Sequence, residues 1–387
     1  MVNAKSTGPA PYHYVDTPAD LERLCQALAT SPWLAIDTEF LRESTYYPKF
    51  CLLQIAGEDA LACVDPLRLS DLTPLWRLIY RPDKLKVLHA GRQDLEIFYH
   101  LHKKLPGPVF DTQLAAPLLG YPEQIGYAHL VMEVLKVPLE KGHSCTNWHQ
   151  RPLDPKQIRY AIDDVRYLGP LFLKLRDRLE RKGRLAWLEQ EFSTLIDPTT
   201  YTNPPEEAWR RIKGASSLTG RQLLTLKRLA AWREETAMAS NQPRRWVLKD
   251  DLLCQIAKLR PQTPEALARL RGIDNRFLHR YGAAICQLVA QTHADNAEAT
   301  LARPAARTAE REILLELLSA VVRLQAAKHG LNPMALASRK DLEQFLACPE
   351  DSNLCHGWRR ELIGEELMAF LAGEKRLQIE DGRPCLR

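Results

Sequence analysis

The sequence has no apolar stretch approaching the roughly 18 residues that a membrane span needs, no Cys-x-x-Cys pair and no phosphate loop of the GxxxxGK[ST] type. The first absence argues against a helical membrane protein. The opening MVNAKSTGPAPYHY also lacks the apolar core of a secretory signal, so a cytoplasmic protein is expected. Nine cysteines, an odd number without paired spacing, suit reduced thiols better than a disulfide framework. His143, Cys145 and His149 come nearest to a zinc set, but their spacing fits no structural-zinc pattern and no second ligand pair stands nearby. A polar loop is the expectation there. Without a phosphate loop or a polymerase-sized region, helicase motors and polymerases are excluded.

What is present is a chain of 387 residues, 45% hydrophobic and 26% charged, long enough for two or three domains. Its net charge of +5 is unevenly spread. Between Arg210 and Ala290 there are 16 Lys+Arg against 6 Asp+Glu, a local excess of +10 that leaves the remainder at −5. That block is a candidate footprint for a polyanion.

The first 200 residues or so alternate short apolar runs with helical patterns, the signature of an α/β domain around a mixed sheet. Thr17 as N-cap, Pro18 and Asp20 open a helix. Trp33–Phe40, Cys51–Ala56 and Leu61–Val64 read as a meander, and KVLHA as a further strand leading through Gly91 into the helix GRQDLEIFYHL. Asp154 and Pro155 start a long helix that Pro170 should kink or split. The linker PTTYTNPP follows, and beyond it two helical stretches look like copies, each a long helix, a K-D-L-containing helix and a helix carrying Gly282 or Gly364. The expected domains are 1–200, 201–295 and 306–375, the last two being all-α bundles. Only the first copy is basic: Arg311 to Ala372 holds 7 Lys+Arg against 9 Asp+Glu.

Three separated pieces carry the chemistry. In WLAIDTEF, Asp37 and Glu39 alternate onto one face of a buried strand, where two like charges are tolerable only around a cation. Asp94 sits in the first turn after a strand-to-helix junction, and Tyr160 and Asp164, four apart, share a helix face. Four carboxylates with no histidine or cysteine make a hard oxygen site for two divalent ions, Mg²⁺ or Mn²⁺. Two such ions can clamp the attacking and leaving oxygens of a phosphodiester. Tyr160, with a phenol pKa ordinarily near 10, is better suited to orienting a water than to acting as general base.

These pieces resemble the three motifs of the DEDD superfamily of 3′ to 5′ exonucleases, with YAIDDVRYL matching the tyrosine-bearing subgroup and HAGRQDLEIF the second motif of bacterial ribonuclease D. The helical copies, GIDNRFLHRYGAAI above all, resemble the domain shared by RecQ helicases and ribonuclease D. The resemblance spans about residues 14 to 372. It implies a ribonuclease H-like fold and metal ligands at Asp37, Glu39, Asp94 and Asp164. It further implies a water-orienting Tyr160, release of nucleoside 5′-monophosphates from RNA 3′ ends, and trimming of tRNA precursors by what is expected to be a monomer. Asp163 departs from the small residue usual in the family and, about 100° away around the helix from Asp164, should face elsewhere.

Phe40 and Leu41 are candidates to stack on or wedge beside the terminal base. Arg92, Lys141, Arg151 and Arg159 flank the motifs as candidate phosphate contacts, and His89 reads as a packed strand-end histidine. A DNA exonuclease and a non-catalytic RNA-binding scaffold are the alternatives, separated from the ribonuclease by comparing RNA with DNA as substrate and by salt-dependent binding of the basic segment.

Overall fold

The computed structural model describes residues 11–139, 146–294 and 308–387. The candidate zinc-set positions His143 and Cys145, and Lys141, lie outside them. Backbone contacts divide the chain into two compact units: one of residues 1–39, 50–200 and 307–387, the other of residues 40–49 and 201–306.

The first unit is built on a six-stranded mixed sheet, β1 His13–Val15, β2 Trp33–Leu41, β3 Lys49–Ala56, β4 Leu61–Val64, β5 Leu85–Leu88 and β6 Val109–Asp111, in the order β1-β4-β3-β2-β5-β6. β3 runs antiparallel to β4, while β1 is parallel to β4, and β2, β5 and β6 are mutually parallel neighbours. β2 thus lies centrally, buried on both faces from Trp33 to Ile36, which is why its first half is uninterrupted apolar sequence.

Around the sheet stand α1 Pro18–Leu28, α2 Thr73–Ile79, α3 Arg92–His102, α4 Thr112–Ala115, α5 Tyr127–Leu135, α6 Pro155–Arg166, α7 Leu168–Arg181 and α8 Glu189–Leu195. Their starts follow local chemistry. The Thr17 side chain accepts from the Asp20 N–H, and Asp154 with Gln157 forms a reciprocal capping box on α6. The predicted break before Pro170 is present: α6 ends at Arg166, with Tyr167 as its C-cap, and α7 begins at Leu168, where a proline four residues after Arg166 has no N–H for the Arg166 carbonyl. At Gly169 α7 presses on β2, because a Cβ there would lie 2.2 Å from the Trp33 ring.

KVLHA contains a surprise for a strand read as apolar. Lys86 is fully buried, and its ammonium donates to the carbonyls of Arg81, Lys84 and Gly107 at 2.5 to 3.0 Å, so no donor is left bare; burial nevertheless lowers its pKa to about 8.

The second helical copy belongs to this first unit. Ala309–His329, Arg339–Ala347 and the segment from Gly357 to Leu371 dock on the sheet domain through specific ties. The Arg184 guanidinium donates to the carbonyls of Leu118 and His329, Arg359 pairs with Glu191 at 2.6 Å, and the Trp187 and Trp358 rings stack at 4.6 Å. A hairpin of Leu377–Glu380 and Arg383–Leu386 ends the chain.

The second unit holds the basic copy, with helices Gly220–Ala239 and Asp250–Leu259 and a third segment from Asn275 to Ala294 around a core that includes Leu226, Leu253 and Ile285. The short segment 40–49 is anchored there: the Tyr46 hydroxyl donates to buried Glu234, which Arg244 grips with both Nε and a terminal nitrogen at 2.6 and 2.7 Å.

Both copies contain a π-helical turn at the same place, Leu278–Gly282 and Arg360–Gly364, each ending on the glycine that the sequence pattern aligns. The two glycines are not equivalent. A Cβ on Gly364 would lie 2.0 Å from the Leu354 carbonyl oxygen, whereas one on Gly282 would meet nothing nearer than the Leu278 side chain at 3.6 Å. Gly364→Ala is therefore expected to cost about 1–3 kcal/mol, the range for overpacking against a group that cannot move aside. Gly282→Ala should be neutral or slightly stabilising, since alanine is the better helix former. Urea titrations of the two variants check this; equal losses would show that the glycines serve the π turn itself rather than the close approach.

Candidate active site

β2 supplies Asp37 and Glu39 from the same face, as strand alternation requires, and α6 crosses β4 to bring Asp164 over them. One carboxylate oxygen from each of the three lies within 4.8 Å of the others. Asp94, buried in the first turn of α3, is held by the Thr38 hydroxyl, which donates to it from the residue between the two β2 acids. It stands close enough to repel Asp37, Glu39 and Asp164 alike. Tyr160 lies one turn before Asp164, half-buried, with its ring stacked against Trp148 at 6.3 Å.

The electrostatics follow from crowding four acids in a poorly solvated place. Burial first, then repulsion from Asp94, Asp164 and Glu39, holds the Asp37 carboxyl well above the usual range. Burial with repulsion from Asp164 and Asp94 raises Glu39 to about 9, burial with Asp163 and Asp94 raises Asp164 to about 7, and burial raises Asp94 to about 6 against the opposing Thr38 hydrogen bond. Among the described residues, no lysine or arginine is prominent in setting these values. The donor set is all oxygen, compact and starved of positive charge, and so fits a hard divalent cation.

Because the acids retain protons above pH 4 when no cation is bound, a divalent ion must displace them on binding. Apparent affinity for Mg²⁺ or Mn²⁺ is expected to rise by up to about tenfold per pH unit for each proton displaced, between about pH 6 and 9. Titration calorimetry in buffers of different ionisation enthalpy measures the protons released. A pH-independent affinity with no proton release would mean that the acids are already ionised in the free protein.

Several supporting residues are not among the candidates read from the sequence. Asp111, at the end of β6, accepts from the backbone N–H groups of Ala90 and Gly91 at 3.1 and 2.8 Å and of Gln113 and Leu114 at 2.8 and 3.2 Å. It ties the turn that launches α3, hence Asp94, to the start of α4. Only its place after an apolar run, as a helix N-cap, was readable. Tyr127 donates to the Asp163 carbonyl at 3.0 Å beside the cluster, and burial with repulsion from Asp164 holds its phenol well above the ordinary value.

Other candidates resolve differently. Arg151 is committed internally, gripping fully buried Asp65 at 2.6 and 2.8 Å and the carbonyls of Cys51 and Trp148, both at 2.7 Å, so it braces the Trp148 loop rather than facing a phosphate. Asp163 pairs with Arg166 at 2.9 Å, and its charge still reaches the cluster, where it raises Asp164. His89 is spent on Thr112 Oγ1 at 2.9 Å and the Ile125 carbonyl at 3.0 Å, a packed strand-end histidine kept neutral by burial. Arg92 and Arg159 are exposed, and Phe40 and Leu41 are half-buried at the end of β2.

A mixed sheet that presents paired strand acids to a third acid on a crossing helix, with a tyrosine one turn before it, defines a 3′-5′ exonuclease domain. Residues 12–180 match the 3′-5′ exonuclease family, and residues 222–289 match the HRDC domain. The chain is 38% identical over 374 residues to the ribonuclease D of Gluconacetobacter diazotrophicus, covering 95% of each, and 39% identical to that of Sphingobium indicum, covering 94% of this chain and 95% of the relative. The crystal structure of Escherichia coli RNase D, described as an exoribonuclease involved in structured RNA processing, superposes with a TM-score of 0.83 at 32% identity, covering 94% of this chain and 99% of that one. The chain belongs to the ribonuclease D family and is a 3′-5′ exoribonuclease. Among the described residues no helix is long and apolar enough to cross a membrane.

Proposed function

We propose that the protein trims the 3′ ends of structured RNAs, tRNA precursors among them, by hydrolysis that releases nucleoside 5′-monophosphates. Asp37, Glu39, Asp94 and Asp164 hold two divalent ions, Mg²⁺ or Mn²⁺. The observation that carries this reading is the convergence of Asp37, Glu39 and Asp164 oxygens within 4.8 Å. When bound, the ions supply a water of lowered pKa and neutralise charge at the departing 3′ oxygen.

The chain's own residues do the rest. Thr38 fixes the Asp94 carboxylate, and the partial burial of Asp37, Glu39 and Asp164 beside buried Asp94 limits screening by bulk water. The Tyr160 phenol is raised above its ordinary value by burial and by Asp164, so it stays protonated at neutral pH and acts as a hydrogen-bond donor that orients the attacking water. Phe40 and Leu41 contact the terminal nucleotide, and Arg92 a phosphate. The basic copy grips the body of the RNA, supported by its excess of ten positive charges between Arg210 and Ala290. The protein works as a cytoplasmic monomer; the eight cysteines of the described residues, all free thiols, accord with a reducing compartment.

The test is a 5′-labelled oligoribonucleotide with a single-stranded 3′ tail, incubated with Mg²⁺ or Mn²⁺ beside a matched DNA and a tRNA precursor. Stepwise shortening of RNA, faster than of DNA and blocked by chelator, is the expected result. Equal rates on DNA, or shortening that survives chelation, would overturn it.

A further inference from the structure

In the turn that leads to α6, Asn147, His149 and Gln150 are exposed, as turn residues ordinarily are, but Trp148 is turned inward and only 2% exposed. Its ring lies beside the Tyr160 ring of α6, centroids 6.3 Å apart and planes at 29°. Arg151 holds the turn in this position with all five of its N–H donors. Nε and one N–H of Nη2 close on the two oxygens of Asp65 at 2.6 and 2.8 Å, and the other N–H of Nη2 reaches the Cys51 carbonyl of β3 at 2.7 Å. Nη1 reaches the carbonyls of Trp148 and Gln150 at 2.7 and 2.9 Å. Asp65, directly after β4, is itself fixed by the Tyr14 hydroxyl at 2.6 Å and the Leu67 N–H at 3.0 Å. One guanidinium thus fastens the Trp148 turn to two strands of the sheet that α6 crosses.

Stability alone accounts poorly for this arrangement. The Trp148 Nε1 is buried with no hydrogen-bond partner, a cost that a leucine filling the same space would not carry. A buried ion pair such as Asp65 with Arg151 is also a weak stabiliser, because desolvation of the two charges offsets much of their attraction. What the arrangement delivers is a flat aromatic face at a fixed place beside Tyr160. A half-buried tyrosine on a helix has more than one rotamer open to it, and changing rotamer swings the hydroxyl away; a ring stacked along one face is held in one.

We propose that Asp65, Arg151 and Trp148 form a brace that positions Tyr160, holding its ring so that the hydroxyl meets the attacking water in one fixed orientation. The proposal rests on the water-orienting reading of Tyr160. Asp65 and Arg151 act through Trp148, and Trp148 acts through Tyr160; all three are positioning residues.

The test is a double-mutant cycle. Removal of the 3′ nucleotide from a 5′-labelled oligoribonucleotide is timed at saturating Mg²⁺ with enzyme in excess, for Trp148→Leu, Trp148→Phe and Arg151→Lys, each alone and combined with Tyr160→Phe. Mg²⁺ binding is measured by calorimetry beside it. Tyr160→Phe alone should slow the reaction by about a hundredfold. Trp148→Leu should slow it by about tenfold alone but by less than about twofold in the Tyr160→Phe background, with Mg²⁺ affinity unchanged within about twofold. Trp148→Phe, which keeps a flat face, should stay within about threefold of wild type, and Arg151→Lys, which keeps the charge but loses the fork, should fall about tenfold like Trp148→Leu. Partial unfolding lowers the rate alike in both backgrounds, so it does not imitate this pattern. Equal losses in the two backgrounds, a wild-type rate from Trp148→Leu or Arg151→Lys, or a Trp148→Phe loss as large as that of Trp148→Leu overturns the brace. So does a Mg²⁺ affinity that falls with the rate, which would mean that α6 and Asp164 had moved. If Tyr160→Phe itself keeps the wild-type rate, the water-orienting reading fails and the brace with it; if Tyr160→Phe is slow and the losses simply multiply, only the brace fails.

Discussion

Asp37→Asn abolishes metal-dependent RNA hydrolysis and at the same time makes the metal-free protein more stable. The loss of activity follows from position: Asp37 is central in the acid cluster, repelled by Asp94, Asp164 and Glu39 together, so neutralising it removes the charge around which a cation is held. Charge stabilisation by a bound ion supplies several kcal/mol at the transition state. A fall in kcat/KM on the order of 10³ to 10⁴ is expected, since each 1.36 kcal/mol is a factor of ten. The gain in stability follows from linkage. An acid whose folded-state pKa lies above its unfolded value binds more protons in the native than in the unfolded state, so stability falls as pH rises from the unfolded value, near 4, through the folded one. Glu39 at about 9, Asp164 at about 7 and Asp94 at about 6 all have this sign, and Asp37 shares it. Removing one charge relieves the others. Thermal unfolding in chelator should therefore give Asp37→Asn a higher Tm than wild type, by a margin that widens between pH 5 and 9. Added Mg²⁺ should raise the wild-type Tm and leave the variant nearly unmoved. A variant that hydrolyses RNA at the wild-type rate, or unfolds earlier at alkaline pH, contradicts the assignment.

The same cluster shows which part of a site can be read from a chain. Asp37 and Glu39 were legible because strand alternation is local, and Tyr160 with Asp164 because one helical turn joins them. The break before Pro170 and the caps at Thr17 and Asp154 were legible for the same reason. What escaped depends on pairs far apart in sequence. Thr38 meets Asp94 across 56 residues, Arg151 meets Asp65 across 86, and Trp358 donates to the Trp187 carbonyl across 171. An arginine in a run of sequence gives no sign whether it faces solvent, as Arg92 does, or is bound to a buried aspartate, as Arg151 is.

The helical copies show a different limit. Their shared pattern, down to a π turn ending on an aligned glycine, was visible as a repeat, but the part each plays was not. Charge gave the only hint. The acidic-to-neutral copy packs on the sheet domain, where Arg359, Arg184 and Trp358 each find a specific partner. Its polar residues are thus used for docking, whereas the excess of arginine and lysine is concentrated in the other copy.

Asp111 is the residue whose loss should be felt furthest from its own position. It is 1% exposed and is not one of the converging acids, yet four backbone N–H groups end on its carboxylate. Two come from Ala90, which holds a left-handed φ of 57°, and Gly91, where a Cβ would strike Leu88 at 2.6 Å. That turn has no regular backbone partner for these donors, and α3 begins directly after it, with Asp94 as its third residue. Asp111→Ala leaves the donors without their acceptor, each at a cost of about 1–3 kcal/mol where water cannot reach, so a total loss of about 3–5 kcal/mol is expected. Asp111→Asn separates stability from positioning. Its carbonyl oxygen can replace Oδ1, which serves Ala90, Gln113 and Leu114, but its amide would place a donor against the Gly91 N–H that Oδ2 now receives. The asparagine variant should remain folded at assay temperature while the first turn of α3 shifts and carries Asp94 with it. A displacement of about 1 Å at a reacting centre costs on the order of a hundredfold in rate. The expected outcome is a kcat lowered by about that factor, a KM for RNA changed by less than about threefold, and weaker Mg²⁺ binding by calorimetry. If Asp111→Asn lowers the urea midpoint but keeps the wild-type kcat and metal affinity, Asp111 supports the fold alone and Asp94 is positioned by Thr38 and the packing of α3.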